Sequence, residues 1–233
     1  IKRYIGLIMN WQDEGFLLSK RKFRENANIV DVFTNNYGKK SGIVYGGNSR
    51  KIKNFLQISN KIYIFYTAKN ENRIGYFKTE LIEAISPKYF NNKKKTSLLL
   101  SAVSILNLLL PESQPNKKIY QSFEDLIKKL DSEDWVIFYI YWELSLIKEL
   151  GFDTNLTFFD KNISDENNTV DLEIDGMKYK VPQFLIRNKT PKKVNVELIK
   201  QSLIFTRLVM INKFFLPNNV IFPKSRIIFE NYF

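Results

Sequence analysis

Lys20-Arg21-Lys22 with Arg24, Lys39-Lys40, and Arg50-Lys51 with Lys53 gather cations into three short clusters near the start of the chain. Clustered fixed cations neutralise successive phosphates and release a condensed counterion with each one, so the chemistry they offer is the binding of a polyanion. Aromatic residues are interleaved with them. Trp11, Phe33, Tyr37 and Tyr45 could stack on bases, which is worth about 1–3 kcal/mol per base where it occurs. Of these, Tyr37 in a turn and Tyr45 beside Gly46-Gly47 are the two expected at the surface.

Other chemistries are poorly supplied. The chain has no His and no Cys, which removes Ser-His-Asp and Cys-His catalysis, disulfides and thiolate metal sites. Asp13-Glu14 and Asp165-Glu166 are adjacent pairs. Neighbouring strand positions point to opposite faces, and neither pair has a partner at metal-site spacing, so no metal and no two-metal nuclease centre is expected. A GxxxxGK[ST] phosphate loop is absent. The reading is of a binding protein, not an enzyme, without a cofactor.

The charge is segregated. Residues 1 to 95 hold 19 Lys plus Arg against 7 Asp plus Glu, and residues 96 to 233 hold 17 against 17, so the net +12 resides in the first part. Solubility needs net charge but not its concentration in one segment, and a codon-driven excess of lysine would be spread evenly. Nucleic acid is the commonest polyanion partner of such a segment. The apolar run Leu98 to Leu110 is about 13 residues, short of the roughly 20 that span a bilayer, so no membrane segment is expected. The first Met is Met9, and Ile1 to Ile8 are expected to be upstream read-through or a truncated leader. A cytoplasmic location is expected.

The elements that must position these residues change character near residue 90. Before it, β-branched and aromatic runs alternate with turn signals and predict five strands: Gly15 to Phe23, Asn28 to Thr34, Gly42 to Tyr45, Lys61 to Thr67 and Arg73 to Ile85. Such a set describes a small β-barrel of the oligonucleotide-binding (OB) kind, over 9–86, whose strand 2 and 3 face and flanking loops would hold nucleic acid. The polar run Asn91 to Thr96 is expected to be a linker. Helices are predicted over Ser97 to Leu110, Ser122 to Leu130, Asp131 to Leu150 with Gly151 as its stop, and Val196 to Phe215, before a tail with Pro217 and Pro223. Between them, Thr169 to Ile174 and Met177 to Val181 flank Asp175-Gly176 as a hairpin. The fold class is therefore α+β: an N-terminal five-stranded OB barrel, then a helical domain over 87–233 with a small β-hairpin insertion near 152–182. Trp135, Phe138, Tyr139, Tyr141, Trp142 and Leu146 put aromatic residues on more than one face of the third helix, which implies burial on two sides or an open apolar groove.

Several stretches carry a resemblance. Trp11-Gln12-Asp13-Glu14-Gly15-Phe16-Leu17-Leu18-Ser19, Val32-Phe33-Thr34 with Tyr37-Gly38, and Gly42 to Arg50 resemble the N-terminal barrel of the RecO family of bacterial recombination mediators. Leu108-Leu109-Leu110-Pro111-Glu112 and Tyr141 to Phe152 resemble its helical domain. The likeness runs in consistent order from Met9 to about Phe152.

The resemblance implies a non-catalytic DNA repair and recombination protein of the RecFOR pathway. It would bind single- and double-stranded DNA, anneal complementary strands and partner RecR. It would also engage the C-terminal tail of single-stranded-DNA-binding protein so that RecA can load, at the nucleoid during repair. Lys39, Lys40 and Arg50, with Lys51 and Lys53 just beyond, are the basic positions it matches. Tyr45 and Asn48 stand where relatives often have Arg, and the four-cysteine zinc module of some relatives has no counterpart here. An RNA-binding or ribosome-associated module is a second reading the basic barrel allows, and a pure interaction scaffold with codon-driven basicity is a third.

Overall fold

Alternating apolar and polar residues build β1 (Met9–Arg24), β2 (Ala27–Thr34), β3 (Gly38–Tyr45), β4 (Lys61–Ala68) and β5 (Gly75–Glu83), with a one-and-a-half-turn helix α1 (Arg50–Phe55) between β3 and β4. The computed structural model describes residues 9–46, 50–70, 73–162, 169–187 and 195–233; Ile1 to Ile8, Asn48 and Asp165-Glu166 lie outside the described residues. The five strands close into a barrel in the order β1-β2-β3-β5-β4, the OB arrangement.

Strand β1 serves two neighbours. Residues 9–16 pair with β4 and residues 15–24 with β2, with irregularities between Leu17 and Ser19 and between Lys22 and Arg24 that bend it around the barrel. Its first half, Met9 to Glu14, lies outside the expected strand because the alternation there is short, with only Met9 and Trp11 apolar before Gly15; pairing with β4 makes it strand. Closure comes from a short parallel contact in which Gly42 faces Gly75 and Ile43 faces Tyr76. A Cβ at Gly42 would lie 2.5 Å from the Phe77 ring, and one at Gly75 would lie 2.4 Å from the Tyr66 ring. Glycine is thus required at both for the core aromatics to fill the barrel where it closes. Leu17, Val30, Val32, Val44, Leu56, Ile62, Ile64 and Phe77 form that core.

The stretch expected as a linker is instead helical. After a single turn α2 (Ile85–Lys88), α3 runs Lys93–Leu109, and the Asn92 side chain caps it by accepting from the Lys95 amide. Three lysines in a first turn oppose the helix dipole, which is why the sequence pattern placed the start late. The chain forms two compact units, up to Tyr120 and from Gln121, and α3 falls in the first. Helix α4 (Lys117–Lys129) also begins earlier than Ser122, because Asn116 accepts from the Ile119 amide and supplies the cap.

In the second unit, α5 (Trp135–Glu149) ends at Gly151 with φ +102°, the left-handed stop its sequence signals. A 3-10 segment (Leu156–Asn162) leads to β6 (Thr169–Ile174) and β7 (Met177–Pro182). Asp175 and Gly176 both have positive φ, 51° and 74°, as a two-residue hairpin turn requires. Helix α6 (Gln183–Arg187) follows, then α7 (Val196–Met210), which continues as a wider turn over Ile211–Phe215. The expected tail contains a further helix, α8 (Lys224–Glu230), with Pro223 at its N-cap. Its Phe229 packs against Trp135 and Tyr139 of α5, and its Arg226 is bonded to Glu143. The Trp135 and Tyr139 side of α5 is therefore covered, by an element too short to announce itself by periodicity, while Phe138 is exposed. Among the described residues no helix is long and apolar enough to cross a membrane.

Candidate nucleic-acid interface

Beyond Phe16, β1 leaves β4 and keeps only β2 as a partner. Its last residues therefore form an exposed edge ribbon of the barrel sheet, beside β2, which pairs on its other side with β3: Lys20, Arg21, Lys22, Phe23 and Arg24 are all exposed. Alternation along a strand would ordinarily send half of this cluster into a core. Here the strand is a sheet edge, and both alternating sets of side chains are exposed. Lys20 Nζ donates to the Leu56 carbonyl at 2.8 Å, and the Arg24 guanidinium lies 5.1 Å from the Phe23 ring centre. The side chains of Arg21 and Lys22 make no ion pair among the described residues, which leaves them available to an anion.

The outer face of β2 and β3, where the OB pattern places nucleic acid, is covered in this protein. Lys39 Nζ donates to the Asn107 carbonyl in the last turn of α3 at 2.7 Å, and the Lys39 carbonyl accepts from the Ser113 amide. Burial lowers the Lys39 pKa, opposed by the charges of Glu112 and Asp31. Asp31 accepts from both Ser19 and Ser41, Ser41 also reaches Glu112, and Phe33 is wholly buried against Tyr120. Lys39 thus holds the C-terminal end of α3 to the barrel, in place of the phosphate contact expected for it. Lys40 points the other way, with Nζ 5.8 Å from the Tyr66 ring at one end of the barrel. Arg50, Lys51 and Lys53 fall on α1, and their side chains lie outside what is described.

The aromatic candidates divide similarly. Trp11 is sandwiched between Tyr37, 4.1 Å away, and Tyr66, 4.7 Å away, so both its faces are occupied. Tyr37 keeps one open face. Tyr45 is the most open, 53% exposed, and stacks on Tyr76 at 5.5 Å with 19° between the rings. Sequence reasoning missed Tyr76, and with it Phe65 and Lys78, which are register partners on β4 and β5. Their signal was the alternation Tyr63, Phe65, Thr67 and Tyr76, Lys78, Glu80, which marks the outward faces of the two strands.

The carboxylates have structural work. Asp13 accepts from the Asn36 amide at 2.7 Å and from its side chain at 3.0 Å, tying down the β2–β3 turn, and Glu14 pairs with Lys61 at 2.9 Å. No group of acidic residues that could hold a metal occurs among the described residues.

Residues 9–85 match a family model described as recombination protein O N terminal, and residues 92–159 match recombination protein O C terminal. The DNA repair protein RecO of Wolbachia sp. subsp. Drosophila simulans (strain wRi) is 35% identical over 152 residues, covering 64% of this chain and 62% of the relative. That of Ruegeria sp. (strain TM1040) is 32% identical over 150 residues, with the same shares. The matched stretch thus spans less than two thirds of the relatives' own length. The hairpin, α7 and α8 lie beyond both family models. Among solved structures, an asparaginyl-tRNA synthetase of Entamoeba histolytica covers 94% of this chain and 60% of its own at 11% identity and a TM-score of 0.31, too low to bear on fold or function.

Proposed function

The chain belongs to the RecO family, and on that premise we propose that it is a DNA repair and recombination protein whose barrel holds DNA by its phosphates. The observation that carries this reading is the open β1 ribbon, which presents Arg21, Lys22 and Arg24 to solvent in the part of the chain that holds the whole net charge. Cations spread over two faces of a ribbon contact backbone without reading base edges, and that suits sequence-independent binding of single and double strands. Annealing needs the same property, since two strands must be neutralised yet remain free to slide while pairing is tested. RecR, the tail of single-stranded-DNA-binding protein and the RecA loading step belong to this proposal as partners of a mediator without a catalytic site, working at the nucleoid.

The test is a charge reversal of Arg21, Lys22 and Arg24 to Glu. Binding should weaken for single and double strands alike, and losing three phosphate contacts should flatten the salt dependence for a single strand by about 2 in log–log slope. Thermal stability should be unchanged, because the three side chains are exposed. Unaltered affinity and slope would reject the ribbon as the phosphate site. Annealing of strands precoated with single-stranded-DNA-binding protein, with and without its C-terminal tail, tests the mediator role: acceleration should depend on the tail. Preference for RNA with no response to the coated strands would favour an RNA-binding module instead.

A further inference from the structure

Between Glu83 and Glu112 the chain has no Asp or Glu, and the four lysines of that stretch, Lys88, Lys93, Lys94 and Lys95, fall within eight positions of one another. They bracket the turn that joins α2 to α3, outside the five strands of the barrel. Glu83, exposed at the end of β5, is the acidic residue nearest to the turn in sequence.

The turn is tied down at both ends. At its entry the Ser86 amide donates to the Asn60 side chain at 3.0 Å and Ile85 is buried. Within it the Phe90 amide donates to the Pro87 carbonyl at 3.3 Å, and the Tyr89 carbonyl accepts from the Asn92 amide at 2.8 Å and from the Thr96 hydroxyl at 2.7 Å. This frame inverts the usual placement of two aromatic residues. Tyr89, whose hydroxyl suits it to water, is 5% exposed, whereas the wholly apolar Phe90 is 81% exposed. The Nζ atoms of Lys88 and Lys95 each lie 5.4 Å from the Tyr89 ring centre, beside Phe90 in the chain, and Lys93 and Lys94 are exposed. Among the described residues no other ring packs on that of Phe90.

A single exposed ring is ordinary on a protein surface. A ring fixed at the tip of a hydrogen-bonded turn among cations is less so, because three lysines in the first turn of α3 oppose its dipole and cost helix stability. An anion laid over them offsets that cost.

We propose that Phe90 is a wedge that enters double-stranded DNA between adjacent base pairs while Lys88, Lys93 and Lys94 take the neighbouring phosphates. A ring without an aromatic companion is covered on both faces once it lies within a stack, and proteins that unstack a base step do so with such an apolar wedge. The cations supply attraction without regard to sequence, and the ring supplies the distortion. The inference rests on the DNA-binding reading above and deepens it: the β1 ribbon holds a phosphate backbone, and the α2–α3 turn opens a step of the duplex. An anionic lipid surface also pairs phosphates with an apolar interior, but the family's DNA repair role favours the duplex.

The experiment uses the full chain and a duplex carrying a fluorescent adenine analogue whose emission rises when its base step unstacks. Saturating native protein should raise that emission about twofold or more, and Phe90→Ala should abolish the rise while duplex affinity stays within about threefold. Phe90→Leu keeps an apolar wedge and should keep most of the rise. Thermal unfolding of both variants should match the parent, because the side chain is exposed. Native protein that binds the duplex with no rise, or a rise that survives in Phe90→Ala, would overturn the wedge and leave the ribbon reading intact. A native protein that binds no DNA would remove both. Phe90-dependent binding to vesicles of phosphatidylglycerol and phosphatidylcholine, with no rise on the duplex, would give the turn to a membrane surface and overturn the inference.

Discussion

In the barrel unit, Arg21 and Arg24 stand in solvent on β1. In the second unit, Arg226 of α8 is wholly buried, with hydrogen bonds to Glu143 at 2.6 and 3.0 Å, to Glu230 at 3.1 Å, to Thr206 at 3.3 Å and to the Leu203 carbonyl at 2.8 Å. Burial disfavours its charge, but Glu143, Tyr139 and Glu230 outweigh that and raise its pKa above the ordinary arginine value. Arg207 adds a second cation on Glu230 at 3.0 Å. The barrel unit therefore keeps its Arg21, Lys22 and Arg24 side chains outward. The other folds Arg226 into its own core, with the partly exposed Arg207 beside it. Net charge, a count of residues, does not report this difference, since a cation matched internally contributes neither to the field outside nor to a ligand site.

The largest expected effect breaks the buried side of the contrast. Arg226→Met leaves Glu143 uncompensated between α5 and α7 and should cost about 3–5 kcal/mol in urea unfolding. Adding Glu143→Leu should recover most of that loss, because two apolar side chains need no partner; a double variant as unstable as the single would show that the network does more than satisfy one charge. Barrel closure is the next most sensitive point. Gly42→Val or Gly75→Val drives a side chain into the Phe77 or Tyr66 ring and should cost about 1–3 kcal/mol, read by the same unfolding curves.

Lys39→Ala sharpens the comparison within the barrel itself. If Lys39 anchors α3, as its bond to the Asn107 carbonyl indicates, the variant should lose about 1–3 kcal/mol of stability yet keep DNA affinity within about twofold. Arg21→Ala should do the reverse. A Lys39 variant with full stability and weakened DNA binding would return that lysine to the interface.

The smallest effect lies in an exposed pair. Asp153 sits 2.7 Å from Lys148, and that hydrogen bond lowers its pKa below the ordinary 3.8. A depressed carboxylate stabilises the fold above its unfolded-state pKa, and the contribution disappears as pH falls through the lower folded-state value. Asp153→Asn should therefore be slightly less stable than the parent at neutral pH, with the two acid-unfolding curves converging once pH has fallen below the lowered pKa of Asp153. A gap that persists at low pH would mean that the loss is not ionic.

Much of this architecture was legible along the chain. The five strands, the hairpin at Asp175-Gly176 and the stop at Gly151 rest on local physics, since alternation, positive φ and capping are properties of neighbouring residues. Elements whose reasons are distant were not legible. Met9 to Glu14 is a strand because β4 pairs with it, and α8 is a helix of seven residues whose justification is a carboxylate 83 positions earlier. Among the site residues, the ribbon cations were visible as a cluster, but Phe65, Tyr76 and Lys78 were not, because nothing in sequence says which outward face of which strand lies beside Tyr45.

By itself, then, the sequence determined a small basic barrel joined to a neutral helical part, the family resemblance, and the absence of His and Cys chemistry. These follow from composition, spacing and local periodicity. Tertiary structure decided which cations remain available. Whether Lys39, Arg21 or Arg226 meets an anion, a carbonyl or a buried glutamate depends on which element folds back against it, and that contact is made between residues far apart in the chain.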